Sequence, residues 1–114
     1  MKAYTDIEQS KKLAEILPLE SADMIFQLGE NKYADSIRVP LTKEHWEQMM
    51  PAINPCWSLA ALLDILHDYT LQTNSDGGVF VVCDSYKPMI SDSYRNPVDA
   101  CYIMILKLKE RSLI

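Results

Sequence analysis

The stretch PCWSLAALLDIL, residues 55–66, decides how this sequence folds. Its leucines recur at the i, i+3, i+4 and i+7 spacing of an amphipathic helix, at Leu59, Leu62, Leu63 and Leu66. The alanines and the isoleucine between them widen the apolar face until little polar surface remains, which is typical of a buried helix. The preceding Asn54 and Pro55 are residue types that begin helices, as the cap and as a first-turn residue. We therefore predict a central buried helix over residues 55–69.

Three further helices are predicted, two before this segment and one after it. The pattern Thr-x-x-Glu at residues 5–8 is a capping box for a first helix that ends before Pro18. Thr42 can cap a short helix that runs through about residue 50. Asn96, followed directly by a proline, begins a last helix that runs to about Arg111. The basic residues near the end of that helix suit its dipole.

Short apolar and alternating segments between these helices predict antiparallel strands. A first hairpin joins residues 24–28 to residues 36–41. A second hairpin joins residues 69–73 to residues 79–83 through the turn NSDGG, and residues 89–90 add an edge strand. The expected fold class is α+β, with one small antiparallel sheet of two hairpins packed against three main helices and one short helix.

The length, charge and cysteine content of the chain limit the class of protein and the partners that it can have. Its 114 residues suffice for a single globular domain, 1–114, and its net charge is −5. Residues 64–92 contain five aspartates and one lysine, so this part repels phosphate and direct binding to nucleic acid is disfavoured. The three cysteines are widely spaced, which favours reduced thiols. No apolar run is long enough for a bilayer and no secretory signal is visible, so we expect a cytoplasmic protein without membrane contact.

A candidate pocket lies near Cys56, Trp57 and His45. In the first turn of the predicted helix, amide donors and the helix dipole would lower the pKa of the Cys56 thiol. A thiol nucleophile also needs a base, and His67 would lie about 16 Å further along the same helix axis. We therefore expect Cys56 to be a structural thiol and Trp57 to cover the helix start, and we identify no catalytic residue.

Metal and cofactor sites have no recognisable motif in this chain. Asp64, His67 and Asp68 share one face of the predicted helix, but no further spaced histidine or cysteine completes a zinc site. The segment around Asp76 is typical of a turn and lacks the residues of a phosphate loop, a dinucleotide fingerprint or a calcium loop. The sequence therefore predicts no metal ligand and no cofactor.

Two groups of apolar side chains form a candidate partner surface. On the last helix, Val98, Cys101, Ile105 and Leu108 form a core stripe, and Ile103, Met104 and Leu106 exceed what one stripe needs. This surplus indicates a second buried face inside the fold or against another subunit. On the short helix, Trp46, Met49 and Met50 form a cluster. That cluster is either a surface for a partner or the part of the helix that packs into the core.

Three blocks of the chain resemble, in this order, a family of small uncharacterised proteins of gut anaerobic bacteria. They are YTDIEQSKKLAEILPLESADM at residues 4–24, PCWSLAALLDIL at residues 55–66 and NPVDACYIMILKLKE at residues 96–110. Members of this family often occur in phage-like or mobile elements. The resemblance implies a bacterial cytoplasmic setting and a mobile-element origin, and it implies no activity, cofactor or catalytic residue.

The sequence favours a non-enzymatic protein-interaction or accessory module that binds another protein or a second copy of itself. The alternative is a small enzyme or ligand-binding protein with a pocket near Cys56 and His45. A third hypothesis is an acidic protein that imitates nucleic acid and captures a basic DNA-binding protein, although the even spread of lysine and arginine counts against it.

Overall fold

The computed structural model contains helices and antiparallel sheets, which confirms the α+β class. It describes residues 3–27, 33–36, 41–50, 53–66, 69–73, 75–83, 89–90 and 94–112. The chain groups into two compact units, Tyr4–Ala61 and Leu62–Ile114, the latter together with Met1–Ala3. The expected single domain of residues 1–114 stays a prediction.

The Tyr4–Ala61 unit combines two helices with a three-stranded antiparallel sheet. Its elements are α1 (Ile7–Ile16), a 3₁₀ turn (Leu19–Ser21), β1 (Met24–Gln27), β2 (Tyr33–Ser36), α2 (Lys43–Met49) and β3 (Ile53–Cys56). The strand order is β2-β1-β3, so β1 is central and pairs on both sides. Both helices pack against β3. The largest buried side chains of this unit are Leu13, Trp46 and Trp57.

The second unit is built on another three-stranded antiparallel sheet and the last helix. A helix α3 (Leu59–Ile65) begins in the first unit and ends in the second. It is followed by β4 (Tyr69–Thr73), β5 (Val79–Cys83), β6 (Met89–Ile90) and α4 (Pro97–Glu110). The strand order is β4-β5-β6, and the backbone groups of Val79 also exchange hydrogen bonds of 2.6 and 2.7 Å with Tyr94. The helix α4 packs against β5.

The first helix begins one residue later than its sequence pattern indicates. The amide of Gln9 donates to Asp6 Oδ1 at 2.8 Å, and the amide of Asp6 donates to Gln9 Oε1 at 3.2 Å. The capping box is therefore formed by Asp6 and Gln9, and the predicted box of Thr5 and Glu8 is wrong. Thr5 is instead completely buried, where its hydroxyl bonds to other side chains.

The central helix is shorter than predicted, because residues 53–56 form a strand. Asn54 and Pro55 lie in β3, so the predicted helix start at this pair is wrong. Proline fits here because β3 is an edge strand of its sheet. The hydroxyl of Ser58 accepts from the amide of Ala61 at 3.1 Å and thereby caps α3. The helix ends at Ile65, and residue 69 already belongs to β4.

Several boundaries agree with the sequence. Thr42 accepts from the amide of His45 at 3.3 Å and caps α2, and Asn96 accepts from the amide of Asp99 at 2.9 Å and caps α4. The second hairpin and its edge strand have the predicted bounds, and Gly77 in its turn has a φ of 88°. The return strand of the first hairpin begins at residue 33, three residues before its predicted start at residue 36, and residues 37–40 of the predicted strand lie outside the described ones.

The sheet arrangement also differs from the prediction. Instead of one sheet of two hairpins, the two hairpins belong to separate three-stranded sheets, and the third strand of the second sheet is the predicted edge strand at residues 89–90. The strand β3, which the sequence analysis assigned to a helix, completes the first sheet. Within the described residues, no helix is both long enough and apolar enough to cross a membrane.

Candidate functional site

The helix α4 leaves two of its apolar side chains partly exposed. Its core face is formed by the buried residues Val98, Ala100, Cys101, Met104, Ile105 and Leu108. Ile103 and Leu106 are only half-buried. Their three-residue separation places them next to each other on the helix surface. We call this pair the α4 strip, and it is one of the parts of the predicted partner surface that the structure leaves partly accessible.

The helix α2 turns its tryptophan inward. Trp46 is 0% exposed, and its indole N–H has no hydrogen-bond partner in the described part of the chain. Met49 and Met50 are half-buried. Trp46 therefore packs into the Tyr4–Ala61 unit, the second of the two roles that its sequence allowed, and does not present its ring to a partner.

Cys56 lies in a buried polar cluster formed with Thr5, Ser10 and Trp57. The thiol donates to the backbone carbonyl of Thr5 at 3.4 Å, and its sulfur is 3.6 Å from Thr5 Oγ1. That oxygen also accepts from the amide of Trp57 at 3.2 Å and is 2.7 Å from Ser10 Oγ. We call these four residues the Thr5 cluster, because the threonine hydroxyl contacts the other three.

The environment of Cys56 suits a structural thiol. Burial raises the pKa of the Cys56 thiol above its ordinary value, and the hydrogen bonds from Thr5 and Ser10 oppose this shift less strongly. The thiol is therefore protonated at neutral pH, whereas a cysteine nucleophile must be a thiolate. Cys56 and Cys101 are both buried and outside any disulfide.

The residues of the predicted pocket have different surroundings. Trp57 is completely buried, and its indole N–H donates to Ser21 Oγ at 3.0 Å. His45 is exposed, and its Nδ1 lies 3.1 Å from Thr42 Oγ1 at the start of α2. Among the described hydrogen bonds, His45 and Cys56 share no partner. No observation in the described residues joins the two side chains into one site.

A serine and an aspartate meet at the start of α3. The amide of Ser58 donates to Asp23 Oδ1 at 2.9 Å, and the hydroxyl of Ser58 donates to Asp23 Oδ2. The same hydroxyl caps the helix by accepting from Ala61. These bonds give the pair a structural role, since the hydroxyl is already occupied on both sides. The pair could not be predicted from a helix that starts at Asn54, because Ser58 then lies inside the helix and not at its cap.

A groove opens where the end of α1, the 3₁₀ turn and α2 meet. It is a cavity of about 530 Å³, which we call the α1–α2 groove. Its apolar lining is formed by Ala14, Leu17, Pro18 and Leu19, and its charged lining by Glu15, Glu20, Lys43 and Glu47. This groove has no signal in the sequence, because its residues come from three elements and have no regular spacing.

Metal ligands are not grouped in the described part of the chain. No set of three histidine, cysteine, aspartate or glutamate side chains there could hold a metal ion. Asp64 is exposed on α3, and its predicted neighbours at positions 67 and 68 lie outside the described residues. A second cavity of about 400 Å³ lies at the β4–β5 turn, lined by Asp76, Gly77, Gly78, Tyr94 and Arg95.

Comparison of the chain with protein-family models, with curated proteins and with solved structures found no match. A function for this chain can therefore be proposed only from the chemistry of the described residues.

Proposed function

We propose that this chain is a non-enzymatic protein-interaction module that associates with a second copy of itself through the α4 strip. The observation on which this depends is the half-buried state of Ile103 and Leu106 on a helix whose opposite face is fully buried. Ile103 and Leu106 are adjacent, partly exposed aliphatic side chains. Covering them with a partner removes apolar surface from water and so lowers the free energy. The buried thiol of Cys56, whose pKa is raised by burial, argues against a cysteine nucleophile at this position, which was the chemistry considered for the alternative pocket.

The expected association is weak. Two half-buried side chains supply much less than the roughly 800 Å² per partner that a stable complex buries. We therefore expect a monomer–dimer equilibrium with a dissociation constant in the range of about 10 μM to about 1 mM. Tyr102 and Lys107, which are also half-buried on α4, would form the border of the contact.

Sedimentation equilibrium over a concentration series tests the self-association. The wild-type mass should rise towards that of two copies, and an Ile103→Lys/Leu106→Lys variant should stay at the mass of one. The matched control is Gln72→Lys/Thr73→Lys, which adds the same two positive charges at exposed positions of β4. Circular dichroism confirms that each variant is folded. A wild-type protein that remains monomeric at about 1 mM, the weak limit given above, would overturn the self-association.

The setting of this module belongs to the same proposal. The resemblance of residues 4–24, 55–66 and 96–110 to proteins of gut anaerobic bacteria supports a bacterial cytoplasmic accessory role of mobile-element origin. The neighbouring genes provide a direct check. Integrase, transposase or phage structural genes beside this gene would support the origin, and a conserved housekeeping operon would contradict it.

A further inference from the structure

The α1–α2 groove combines an apolar floor with a negatively charged rim. On the floor, Leu17 is buried and Leu19 is half-buried, so an apolar side chain placed there would meet aliphatic surface. The charged lining contains three glutamates against one lysine, a net of two negative charges. Cavities of several hundred Å³ are typical of sites that accept a ligand or the side chains of a partner.

The end of α1 adds to the negative potential of this groove. The carbonyl end of a helix has a partial negative charge, and α1 ends at Ile16 beside the groove residues Leu17 and Pro18. The last turns of α1 and α2 contain no basic residue but do contain Glu15 and Glu47. A carboxylate at this end opposes the helix dipole by about 0.3–1 kcal/mol. Glu15 and Glu47 therefore oppose the dipoles of their own helices, and both line the same groove. This combination favours a role in binding over a role in stability.

The ion pairs at the rim leave these carboxylates accessible. Lys12 Nζ lies 3.8 Å from Glu15 Oε2, and Lys43 Nζ lies 3.9 Å from Glu47 Oε1. Both distances are near the upper limit for an ion pair. The glutamate side chains are 70% and 59% exposed, so these pairs add little stability. An incoming cation can therefore replace either lysine at small cost.

From this arrangement we propose that the α1–α2 groove binds a basic peptide segment of a partner protein. Arginine or lysine side chains of the segment pair with Glu15, Glu20 and Glu47. One aliphatic side chain of the same segment packs on Leu17 and Leu19. Charge complementarity selects a cationic partner, and the apolar floor selects a peptide over a small polar cation. This site goes beyond the proposed self-association, because it is formed by residues of α1, the 3₁₀ turn and α2 instead of α4, and it takes a different protein.

A defined peptide tests the site directly. The probe is a fluorescein-labelled peptide of alternating arginine and leucine residues, and its binding to the full chain is followed by fluorescence anisotropy. We expect saturable binding at low salt that weakens about tenfold in 0.5 M NaCl, since the rim charges are exposed and screened. A Glu20→Gln/Glu47→Gln variant should bind about fivefold or more weakly. The control is Glu8→Gln, which removes an exposed carboxylate of α1 outside the groove. Its affinity for the peptide should stay within about twofold of that of the wild type.

Two further comparisons separate a peptide site from simpler explanations. A peptide with serine in place of leucine should bind more weakly, because it cannot use the apolar floor. The Ile103→Lys/Leu106→Lys variant should bind the original peptide as the wild type does, whether or not the wild type dimerises. Circular dichroism confirms that the variants are folded.

Four results would overturn the proposal. The first is an absence of saturable binding, and the second is equal binding by the wild type and the Glu20→Gln/Glu47→Gln variant. The third is equal binding of the leucine and serine peptides. The fourth is displacement of the bound peptide by spermine at the same concentration as the peptide. The last would assign the groove to a small polyvalent cation.

Discussion

The Thr5 cluster predicts a large destabilisation for Thr5→Val, a substitution that keeps the shape of the side chain and removes its hydroxyl. Thr5 is completely buried, and its Oγ1 accepts from the amide of Trp57 and bonds to the hydroxyl of Ser10. Valine leaves both groups without this partner in a buried environment. The amide contributes about 2 kcal/mol of the loss, since an unsatisfied buried donor costs about 1–3 kcal/mol. The Ser10 hydroxyl adds about 1 kcal/mol, because it can rotate towards a carbonyl of its own helix.

The expected total is a loss of about 3 kcal/mol in the free energy of unfolding. Urea unfolding at pH 7 measures it, with tryptophan fluorescence as the probe, because Trp57 belongs to the cluster. The matched control is Thr73→Val on β4, where the side chain is exposed and the change should stay within about 0.5 kcal/mol.

A double-mutant cycle with Ser10→Ala tests the reasoning further. Ser10→Ala removes one of the two groups that Thr5→Val leaves unpaired, so the combined loss should be smaller than the sum by about 1 kcal/mol. A loss below about 1 kcal/mol for Thr5→Val, or full additivity with Ser10→Ala, would refute the hydrogen-bond network as the source of stability.

Three further predictions follow from individual residues. Burial raises the pKa of Cys56 in the folded state, so the folded protein favours the neutral thiol. The resulting stability is fully present below the pKa of the unfolded state, about 8.5, and it is lost as the pH rises through the pKa of the folded state. Cys56→Ala should therefore flatten the alkaline fall of the urea midpoint, and an unchanged fall would contradict the assignment. Asn96→Ala removes the cap of α4 and should cost about 1 kcal/mol in thermal unfolding, whereas a neutral result would show that the Asp99 amide finds another acceptor. Gly77→Ala should cost about 1 kcal/mol through its φ of 88° alone, since nothing lies within 4 Å of the added Cβ. Gly77→Asn should cost less, and equal costs would point to a steric cause instead.

The last helix could be predicted from the sequence because its local signals agree with each other. Asn96 followed by proline, the acidic Asp99 in the first turn and the basic residues at the end all indicate the same bounds. Its predicted core stripe of Val98, Cys101, Ile105 and Leu108 is buried. Of the three surplus apolar residues, Ile103 and Leu106 are half-buried outside this stripe, whereas Met104 is completely buried with it. The second hairpin was predictable for a similar reason, because its glycine-containing turn fixes the register of both strands.

The start of the central helix could not be predicted, because Asn-Pro suits both a helix start and an edge strand. The pairing of β3 with β1 decides for the strand, and that pairing involves residues distant in the sequence. The first helix shows the same limit. Its sequence contains two overlapping capping boxes, at residues 5–8 and 6–9, whose cap residues have similar preferences. Burial of Thr5 against Cys56 and Trp57 selects the second box.

The two proposed binding surfaces, the α4 strip and the α1–α2 groove, also differ in how far the sequence predicts them. The α4 strip depends on the spacing within one helix, which the sequence displays. The α1–α2 groove depends on Glu15, Glu20 and Glu47, which are brought together only when α1, the 3₁₀ turn and α2 pack. Neither the composition nor the spacing of these glutamates distinguishes them from solvent-exposed charges elsewhere in the chain.

The backbone pairing of residues 4–5 with residues 57–58 brings the two ends of the Tyr4–Ala61 unit side by side. The amide of Thr5 donates to the carbonyl of Trp57 at 2.9 Å, so the segment enters and leaves its own fold at one point. Segments with adjacent ends tolerate circular permutation and insertion into a host protein, because a short linker closes them without moving the core. A circular permutant of this unit that joins its two ends by a short linker is therefore expected to keep the β2-β1-β3 sheet.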